Sequence, residues 1–563
     1  MATTEVDCAI IGGGVAGVYC GWRLTNSKKR QKVFLFEYTN RIGGRLFTVP
    51  KLGNADINAE IGGMRYNPAQ HKLFSFLLKK LGLTPKEFPM GSGDDQTGNK
   101  NFVYFRGEHA RIGDLNNSDK IPFKVSWSER NKNPDDLQEQ IIKTLIPTES
   151  DRTDANWPKV KVFGKSLYKW GYWNLLYHVL SQEAYLFMKF GCGYDTNVSN
   201  GNAAVLLPTG GDYTNENKYL TLEEGMNEFP KRLEEQFRKN GGKTFTNYRL
   251  ESIERLKGGK NPKYALRFFK THTVGRKTSD SLPQEEFVIH ANKVILAMPR
   301  AALEKIRFEQ WEKNNEYKQN RNSVLVQAAM KIYLAYPYAW WKSIGLIAGR
   351  SITDLPIRQV FYFVPKDDTN LNTVYNKTAL LMASYNDIES VPFWKGLEGS
   401  SENNEEDEYF PGDDNCRATT AMVDEAHKQV MELHDLKQIP QPSAAAYWDW
   451  GDTVSGGGWH CWKAGYDFNE ICKKMLKPDS KENVYICGEA YSLWQGWAEG
   501  ALQTAEDLLL TDDFGLDPIL PKEKPTSIRR GLNVQGTSTK GIIQNRLRWI
   551  YKNPTSKKVQ DTR

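Results

Sequence analysis

The sequence predicts an α/β protein in which a parallel sheet flanked by helices is interrupted by inserted segments. Residues 6–24, VDCAIIGGGVAGVYCGWRL, form a continuous apolar run followed by glycines and a helical pattern, which is typical of a buried parallel strand that leads into a helix. Residues 291–303 and 482–510 repeat this pattern in the middle and near the end of the chain. We therefore expect a discontinuous domain into which other domains are inserted.

The segments between these three units differ in composition. Strand-like apolar runs such as VLVQAAMKIYLAY indicate a second, mixed sheet for the substrate, whereas an aromatic-rich stretch indicates a helical domain. The predicted nucleotide-binding region comprises residues 5–66, 237–322 and 466–512, and the predicted substrate-binding region comprises residues 67–120 and 323–465. The predicted helical region comprises residues 121–236, and the tail comprises residues 513–563.

The charge distribution excludes some partners. The chain has 563 residues and a net charge of +7. Residues 513–563 hold eleven Lys/Arg and four Asp/Glu, so the whole excess lies in the tail. The balanced body argues against nucleic acid as a partner. We interpret the tail as a basic end that is docked on its own protein or solvated, with contact to a membrane or a partner as the alternative.

Cysteine spacing and hydropathy exclude other classes. The seven cysteines show no CxxC spacing, so we expect neither a metal site nor a disulfide framework. No apolar run is long enough to span a membrane. Because the chain enters its first predicted strand within ten residues, we expect a cytoplasmic protein, while secretion after removal of a leader stays open.

The glycine motif predicts a dinucleotide site. Gly12, Gly14 and Gly17 form GxGxxG between a strand and a helix, and Glu37 ends the next strand twenty residues later. In such a unit the first glycine permits a tight turn, the second lets the backbone approach a pyrophosphate, and the third lets helix pack on strand. The helix N-terminus attracts phosphates, and the acid accepts hydrogen bonds from ribose.

The residues after Glu37 favour FAD. The segment EYTNRIGGRLFT adds a second glycine pair and Arg45, and an E-x3-R-x-G-G-R pattern resembles the flavin-containing amine oxidase superfamily. The resemblance extends from about residue 6 to residue 510. It implies that Leu250 meets the adenine and that Gly488 and Glu489, in YICGEAYSLWQGWAEG, lie at the ribityl-phosphate. It also implies that Gly63, Met64, Trp497 and Ala498 lie against the flavin ring.

The segment GGMRYNP, residues 62–68, resembles the L-amino-acid oxidase branch, in which a Met-Arg pair follows a glycine. The resemblance implies that Arg65 forms a bidentate pair with the substrate α-carboxylate, a geometry that guanidinium groups favour. The alternative is an internal ion pair with Glu60.

The same resemblance assigns further substrate contacts. Tyr362 matches a tyrosine that hydrogen-bonds the carboxylate, although its neighbours Phe361 and Phe363 leave room for a shift of one residue. Lys331 matches a catalytic lysine that holds a water near flavin N5, with a solvent-facing position as the alternative. Gly496 supplies a carbonyl for the amino group, and Trp497 forms a wall.

The segment SGGGWHCWKAG departs from covalent members of the superfamily. Gly458 stands at the position of their flavin-linked cysteine, and Cys461 lies three residues further, so we expect non-covalent FAD. Trp459 and His460 are expected to shape the side-chain pocket, with a core histidine as the alternative for His460.

These expectations define a reaction. The resemblance implies an oxidase that takes an L-amino acid and dioxygen to a 2-oxo acid, ammonia and hydrogen peroxide, by hydride transfer from Cα to the flavin. The alternatives are an amine or polyamine oxidase, an amino-acid monooxygenase that yields an amide, and a flavin-binding scaffold without turnover. Relatives are often dimers, and we expect a homodimer.

Overall fold

The structure is a computed structural model that describes residues 4–520. Within this range it does not describe residues 28–30, 92–94, 96, 153–155, 209–217, 259–262, 369, 372–376, 400–407 and 452–455. The predicted basic tail lies almost entirely outside the described residues.

The described residues form twenty-one strands and fourteen α-helices. The strands are β1 (Thr4–Ile11), β2 (Val33–Phe36), β3 (Pro85–Phe88), β4 (Phe102–Phe105), β5 (Glu108–Arg111), β6 (Lys161–Val162), β7 (Lys165–Ser166), β8 (Tyr219–Leu222), β9 (Lys243–Phe245), β10 (Tyr248–Arg255), β11 (Tyr264–Val274), β12 (Lys277–Asp280), β13 (Glu286–Leu296), β14 (Val324–Gln327), β15 (Ala329–Tyr336), β16 (Arg350–Thr353), β17 (Gln359–Phe363), β18 (Ala379–Asp387), β19 (Ala444–Asp449), β20 (Trp459–Trp462) and β21 (Val484–Ile486). The helices are α1 (Val15–Thr25), α2 (Lys72–Leu81), α3 (Pro134–Leu145), α4 (Tyr172–Val179), α5 (Gln182–Gly191), α6 (Ala203–Leu206), α7 (Glu228–Lys239), α8 (Arg300–Leu303), α9 (Glu309–Glu312), α10 (Asn315–Arg321), α11 (Val391–Lys395), α12 (Thr420–Leu433), α13 (Phe468–Leu476) and α14 (Ala498–Leu509).

The first sheet joins the three segments that the sequence predicted to share a domain. Its order is β10-β11-β13-β1-β2-β9, with β21 paired to β13 and β12 to β11. The pairs β13–β1, β1–β2, β2–β9 and β13–β21 are parallel, whereas β10, β11 and β13 are antiparallel neighbours. Strand β1 is flanked on both sides, which explains its nearly continuous apolar sequence. The predicted α/β fold is confirmed.

The second sheet is mixed, as predicted. Its order is β19-β15-β18-β17-β16-β4-β5, and only β16 and β4 pair in parallel within it. The run VLVQAAMKIYLAY does not form one strand, because it divides into β14, which pairs with β20, and β15 in the large sheet. This division brings the segment of β20 next to the sheet that carries Lys331.

The helical region is smaller than residues 121–236. Helices α3 to α6 belong to it, but β8 pairs with β3, and α7 packs with α1 through Phe229, Leu233 and Phe237. The predicted boundary at residue 236 therefore falls inside a helix of the nucleotide-binding unit. Among the described residues, no helix has both the length and the apolar character needed to cross a membrane.

Candidate active site

One large cavity connects the two sheets. It has a volume of 1020 Å³, and its lining includes Gly14, Glu37, Arg65, Lys331 and Trp459. It thus extends from the first glycine turn to the second sheet, and it is large enough for an extended cofactor together with a small substrate.

The turn between β1 and α1 has a different constraint at each glycine. Gly12 has φ +111°, and a Cβ there would lie 2.3 Å from the Ala297 carbonyl oxygen. A Cβ on Gly17 would lie 1.9 Å from the Gly12 carbonyl oxygen. At Gly14, by contrast, the nearest atom would be Gly44 Cα at 3.8 Å. The backbone of Gly14 therefore faces open cavity at the N-terminus of α1, where helical N–H groups favour an anion.

The acid after β2 is held in the same turn. One Glu37 carboxylate oxygen accepts the Gly13 N–H at 2.7 Å, and the other accepts the Thr39 N–H and hydroxyl, both at 2.9 Å. Glu37 and Leu250 both line the cavity, so the residues predicted to contact ribose and adenine lie in the same space.

Glu489 organises the middle of the cavity. Its two oxygens accept four hydrogen bonds: from the Arg45 guanidinium at 2.8 Å, His460 Nδ1 at 2.8 Å, the His460 backbone N–H at 2.9 Å and the Gly496 N–H at 2.7 Å. Burial raises the pKa of Glu489, but Arg45 and His460 more than offset this and hold it well below its usual value. Glu489 is therefore an anion that fixes the positions of its three partners.

His460 lines the cavity, but its side chain is fully buried and bonded to Glu489. It therefore acts on the site through Glu489, which also holds Arg45 and Gly496. Its part in shaping the side-chain pocket stays a prediction.

The start of α14 forms another wall. Trp497 is the N-cap residue of α14, and Gly496, with φ +83°, precedes it. Gly496, Trp497 and Ala498 all line the cavity. The positive end of the α14 dipole therefore faces this space.

Arg65 lies in the cavity wall and is half buried. Its guanidinium carbon lies 4.3 Å from the centre of the Tyr219 ring, and Nη1 lies 3.3 Å from Met90 Sδ. No carboxylate in the described part of the chain forms an ion pair with Arg65. The alternative partner, Glu60, instead accepts hydrogen bonds from the Thr48 hydroxyl and the Met226 N–H. The charge of Arg65 is thus available to a ligand.

Lys331 is buried on β15 rather than facing solvent. Its Nζ donates to the carbonyls of Glu60 at 3.0 Å and Gly62 at 2.5 Å, and it lies 4.6 Å from the Tyr385 ring centre. Burial lowers its pKa to about 7, against the opposing effect of the Glu60 carboxylate, and Arg65 lowers it further. Lys331 therefore exchanges a proton near neutral pH, beside the segment that carries Arg65.

Tyr362 is turned away from the cavity. Its hydroxyl bonds Ser351 Oγ and His434 Nε2, each at 2.5 Å, and its ring packs in a separate core with Trp341. The predicted carboxylate contact is incompatible with this position. Successive residues of a strand face opposite sides, and Phe361 is the neighbour that packs towards Arg65, whose guanidinium carbon lies 5.7 Å from its ring centre.

Comparison with known proteins identifies the family. The family model of flavin-containing amine oxidoreductases matches residues 15–507. The chain belongs to this family. It is 30% identical over 535 residues to Aplysianin-A of Aplysia kurodai, which covers 90% of each protein, and 30% identical over 528 residues to Achacin of Lissachatina fulica, which covers 90% of this chain and 93% of Achacin.

More distant matches extend over most of the chain. The chain is 22% identical to an L-amino-acid oxidase of Sistrurus catenatus edwardsii, over 88% of this chain and 84% of that protein. A structure of putrescine oxidase bound to putrescine aligns with a TM-score of 0.59 at 16% identity, covering 91% of this chain and all of that one. Membership in the flavin-containing family implies a flavin cofactor.

The cavity of this family member has the features that a flavin dinucleotide needs. Gly14 leaves space at one helix N-terminus. Gly488 has φ +137°, and a Cβ on it would have only the Met298 carbonyl oxygen within 4 Å, at 3.8 Å. Two helix N-termini and the Arg45 guanidinium face the same space. Arg45, Glu37 and Leu250 would hold the dinucleotide, and Met64, Trp497 and Ala498 would border its ring.

Three tyrosines that no sequence motif marked join the predicted Trp459 and Trp497 in the cavity wall. Tyr194, Tyr385 and Trp459 pack edge-to-face, with ring centres 5.2 to 6.5 Å apart, and Tyr219 stacks on Trp497 at 6.3 Å. All five line the cavity. Tyr194 comes from the helical region and Tyr385 from β18, so only tertiary structure brings them together.

Proposed function

We propose that the protein is an FAD-dependent L-amino-acid oxidase. It converts an L-amino acid, dioxygen and water to a 2-oxo acid, ammonia and hydrogen peroxide. The observation that carries this proposal is Arg65, a half-buried cation in the cavity wall that has no carboxylate partner among the described residues.

An arginine in this position calls for an anionic ligand. Removing a charge from water is costly unless a partner compensates it. The planar guanidinium offers two parallel donors that match a carboxylate, which fixes the orientation of the ligand as well as its charge. An α-amino acid supplies this group, whereas a simple amine does not.

The other wall groups fit the remainder of an amino acid. The Gly496 carbonyl is a candidate acceptor for the substrate amino group, because Gly496 lines the cavity and its N–H is already held by Glu489. The aromatic rings exclude water from the reacting carbon. Bound FAD, held by Glu37, Arg45 and Leu250, would supply the acceptor for a hydride from Cα and would return the two electrons to dioxygen. Lys331, with a pKa of about 7, can hold or release a proton beside it.

The relatives support the same class. L-amino-acid oxidases are among the proteins that match most of the chain, at 22% identity. Non-covalent attachment of FAD is part of the proposal, because Gly458 stands where covalent relatives carry their cysteine.

Substitution of Arg65 tests the proposal. We expect Arg65→Met to retain bound flavin but to lose roughly 100-fold in kcat/KM for L-amino acids, the equivalent of about 3 kcal/mol for a charged hydrogen-bonded pair. Arg65→Lys should retain part of the activity, since it keeps the charge but not the bidentate geometry. Lys231→Met, which removes another cation from the cavity lining, should leave kcat/KM unchanged.

Substrate and product identity separate the competing reactions. Hydrogen peroxide should form with L-amino acids and not with the corresponding decarboxylated amines. Wild-type activity in Arg65→Met, or oxidation of amines alone, would overturn the carboxylate assignment. An amide product instead of a 2-oxo acid would identify a monooxygenase.

A further inference from the structure

A surface of the helical region, distant in sequence from every cavity-lining motif, combines exposed rings with lysines. The hairpin of β6 and β7 and the outer face of α4 form it. We refer to it as the aromatic–lysine surface, which comprises Lys159, Lys161, Phe163, Lys165, Lys169, Trp170, Trp173, Tyr177 and His178.

The hairpin presents a phenylalanine at its tip. Phe163 and Gly164 connect β6 to β7 with φ +49° and +75°, as a two-residue turn of this kind requires. A left-handed backbone is unfavourable for a bulky residue, yet the Phe163 side chain remains 59% exposed. Packing in the protein core therefore does not explain why phenylalanine occupies this position.

Helix α4 carries aromatic side chains outside the core as well as inside it. Tyr172, Leu175 and Leu176 are buried in the core, which accounts for one face. Another face exposes Trp173 and Tyr177, the latter at 65%, one helical turn apart. The Trp173 ring stacks on Tyr185 of α5 at 5.2 Å, and the exposed Asn174 and His178 make the outer side of the helix amphipathic.

The hairpin and helix form one continuous patch. The His178 ring lies 5.7 Å from Phe163 and 5.3 Å from Trp170, and Phe163 and Trp170 are 6.1 Å apart, measured between ring centres. The Trp170 indole N–H donates to the Val162 carbonyl at 3.0 Å, so it ties the segment before α4 to the hairpin.

The patch is surrounded by positive charge. Between Asp154 and Glu183 the sequence contains four lysines and no acidic residue, although the body of the chain is otherwise balanced. All four lysines are exposed, and none forms an ion pair with a carboxylate that the structure describes. Lys165 Nζ lies 4.3 Å from the Trp170 ring centre, so charge and aromatic surface coincide.

We propose that the aromatic–lysine surface binds the face of an anionic lipid bilayer. Phe163, Trp173 and Tyr177 enter the boundary between headgroups and acyl chains, which aromatic side chains favour. The lysines contact the acidic headgroups, whose negative surface potential attracts them. The protein then lies on the membrane without crossing it.

The charge pattern favours a lipid surface over a second copy of the chain. A symmetric dimer through this patch would place the same lysines opposite each other, and like charges repel. An acidic polysaccharide would satisfy the lysines but would leave the Phe163 tip without an apolar environment.

A site-specific fluorescent label tests the proposal in the full chain. The dye NBD attached to Phe163→Cys should shift to the blue on vesicles of phosphatidylcholine with 30% phosphatidylserine and be quenched by nitroxide-labelled lipid. The same dye on Phe393→Cys, which replaces another exposed phenylalanine, should show neither effect. The chain without an added cysteine gives the background from its native thiols. A label on Tyr177→Cys should repeat the result of residue 163.

A dye at a single residue is needed because the tail also carries basic residues that could bind vesicles. Vesicle binding alone could reside in the tail, but quenching at residue 163 could not. Lys161→Gln with Lys165→Gln should weaken vesicle binding roughly tenfold or more, whereas Lys239→Gln with Lys243→Gln should not. Absence of quenching at both 163 and 177, or equal quenching at 163 and 393, would overturn the proposal. So would a concentration-dependent dimer that Phe163→Ser abolishes, or binding to heparin without quenching by lipid.

Discussion

Lys331 is buried, where the charged form of an amine is unfavourable, and its neighbours partly offset that free-energy cost. Two carbonyls accept hydrogen bonds from Nζ, and the nearby Glu60 carboxylate favours the charged form, while burial and Arg65 oppose it. Glu60 is itself buried, which raises its pKa to about 7. The protonation state of Lys331 is therefore sensitive to small changes in its neighbours.

The pH dependence of activity tests this balance. Lys331 loses its proton as the pH rises through about 7, and we expect kcat/KM to rise with it, because the neutral amine can accept a proton. Lys331→Met should lack this limb of the pH profile.

Glu60→Gln serves as the matched variant. It removes the charge that raises the pKa of Lys331, so the limb should move to lower pH and not vanish. A limb near pH 7 that persists in Lys331→Met would assign it to another group.

At this scale, the family resemblance assigned Arg65 and Lys331, and both line the cavity. Their roles stay predictions. Tyr362 was placed wrongly because a run of three aromatic residues, 361–363, does not reveal which side chain faces the core of a strand. Tyr194 and Tyr385 could not be predicted, since their partnership depends on the docking of two distant segments.

At the scale of the element, the glycines of the β1–α1 unit serve two different purposes, folding and ligand binding. A side chain on Gly17 would collide with the preceding turn, whereas one on Gly14 would extend only into the cavity. The same three-glycine motif therefore contains one position that serves packing and another that serves the ligand.

Two alanine substitutions test this division. Gly14→Ala should fold with a thermal transition close to that of the wild-type apoprotein but bind FAD at least roughly tenfold more weakly, because the methyl group occupies the phosphate space. Gly17→Ala should lower the free energy of unfolding by about 1–3 kcal/mol through overpacking. Differential scanning fluorimetry and flavin absorbance measure the two effects. Full flavin binding by Gly14→Ala would place the phosphates elsewhere.

Individual buried strands were the part of the fold that the sequence predicted best. Apolar runs correctly indicated β1, β13 and β21, because continuous burial leaves a strong sequence signal. The break at Ala328 between β14 and β15 was not predicted, since the run remains apolar while its strands join different sheets. The predicted end of the helical region at residue 236 was wrong for a similar reason. The sequence of the amphipathic helix α7 does not show which hydrophobic core its apolar face packs against.

At the scale of the whole molecule, the site exists only when the two sheets and the helical region meet. Glu489 links three separate segments, through Arg45 after β2, His460 on β20 and Gly496 before α14. Loss of this carboxylate would leave the half-buried Arg45 cation and the buried His460 imidazole without their partner, which is costly. A homodimer remains a prediction of the family resemblance.

The last prediction concerns how the whole molecule retains its flavin. A Cβ on Gly458 would lie 2.7 Å from the Ala329 Cβ, so a side chain has little space at the position that the resemblance aligns with the flavin-linked cysteine. Cys461 is buried, which raises its pKa to about 12, and an un-ionised thiol is a poor nucleophile. His460 Nδ1 is held by Glu489.

We therefore expect acid or urea denaturation followed by ultrafiltration to release all FAD into the filtrate. Readdition of FAD to the apoprotein should raise its thermal transition in a concentration-dependent manner. Flavin that stays with the precipitated chain, detected as a mass increase of the intact protein, would contradict non-covalent binding and direct attention to another residue of the cavity wall.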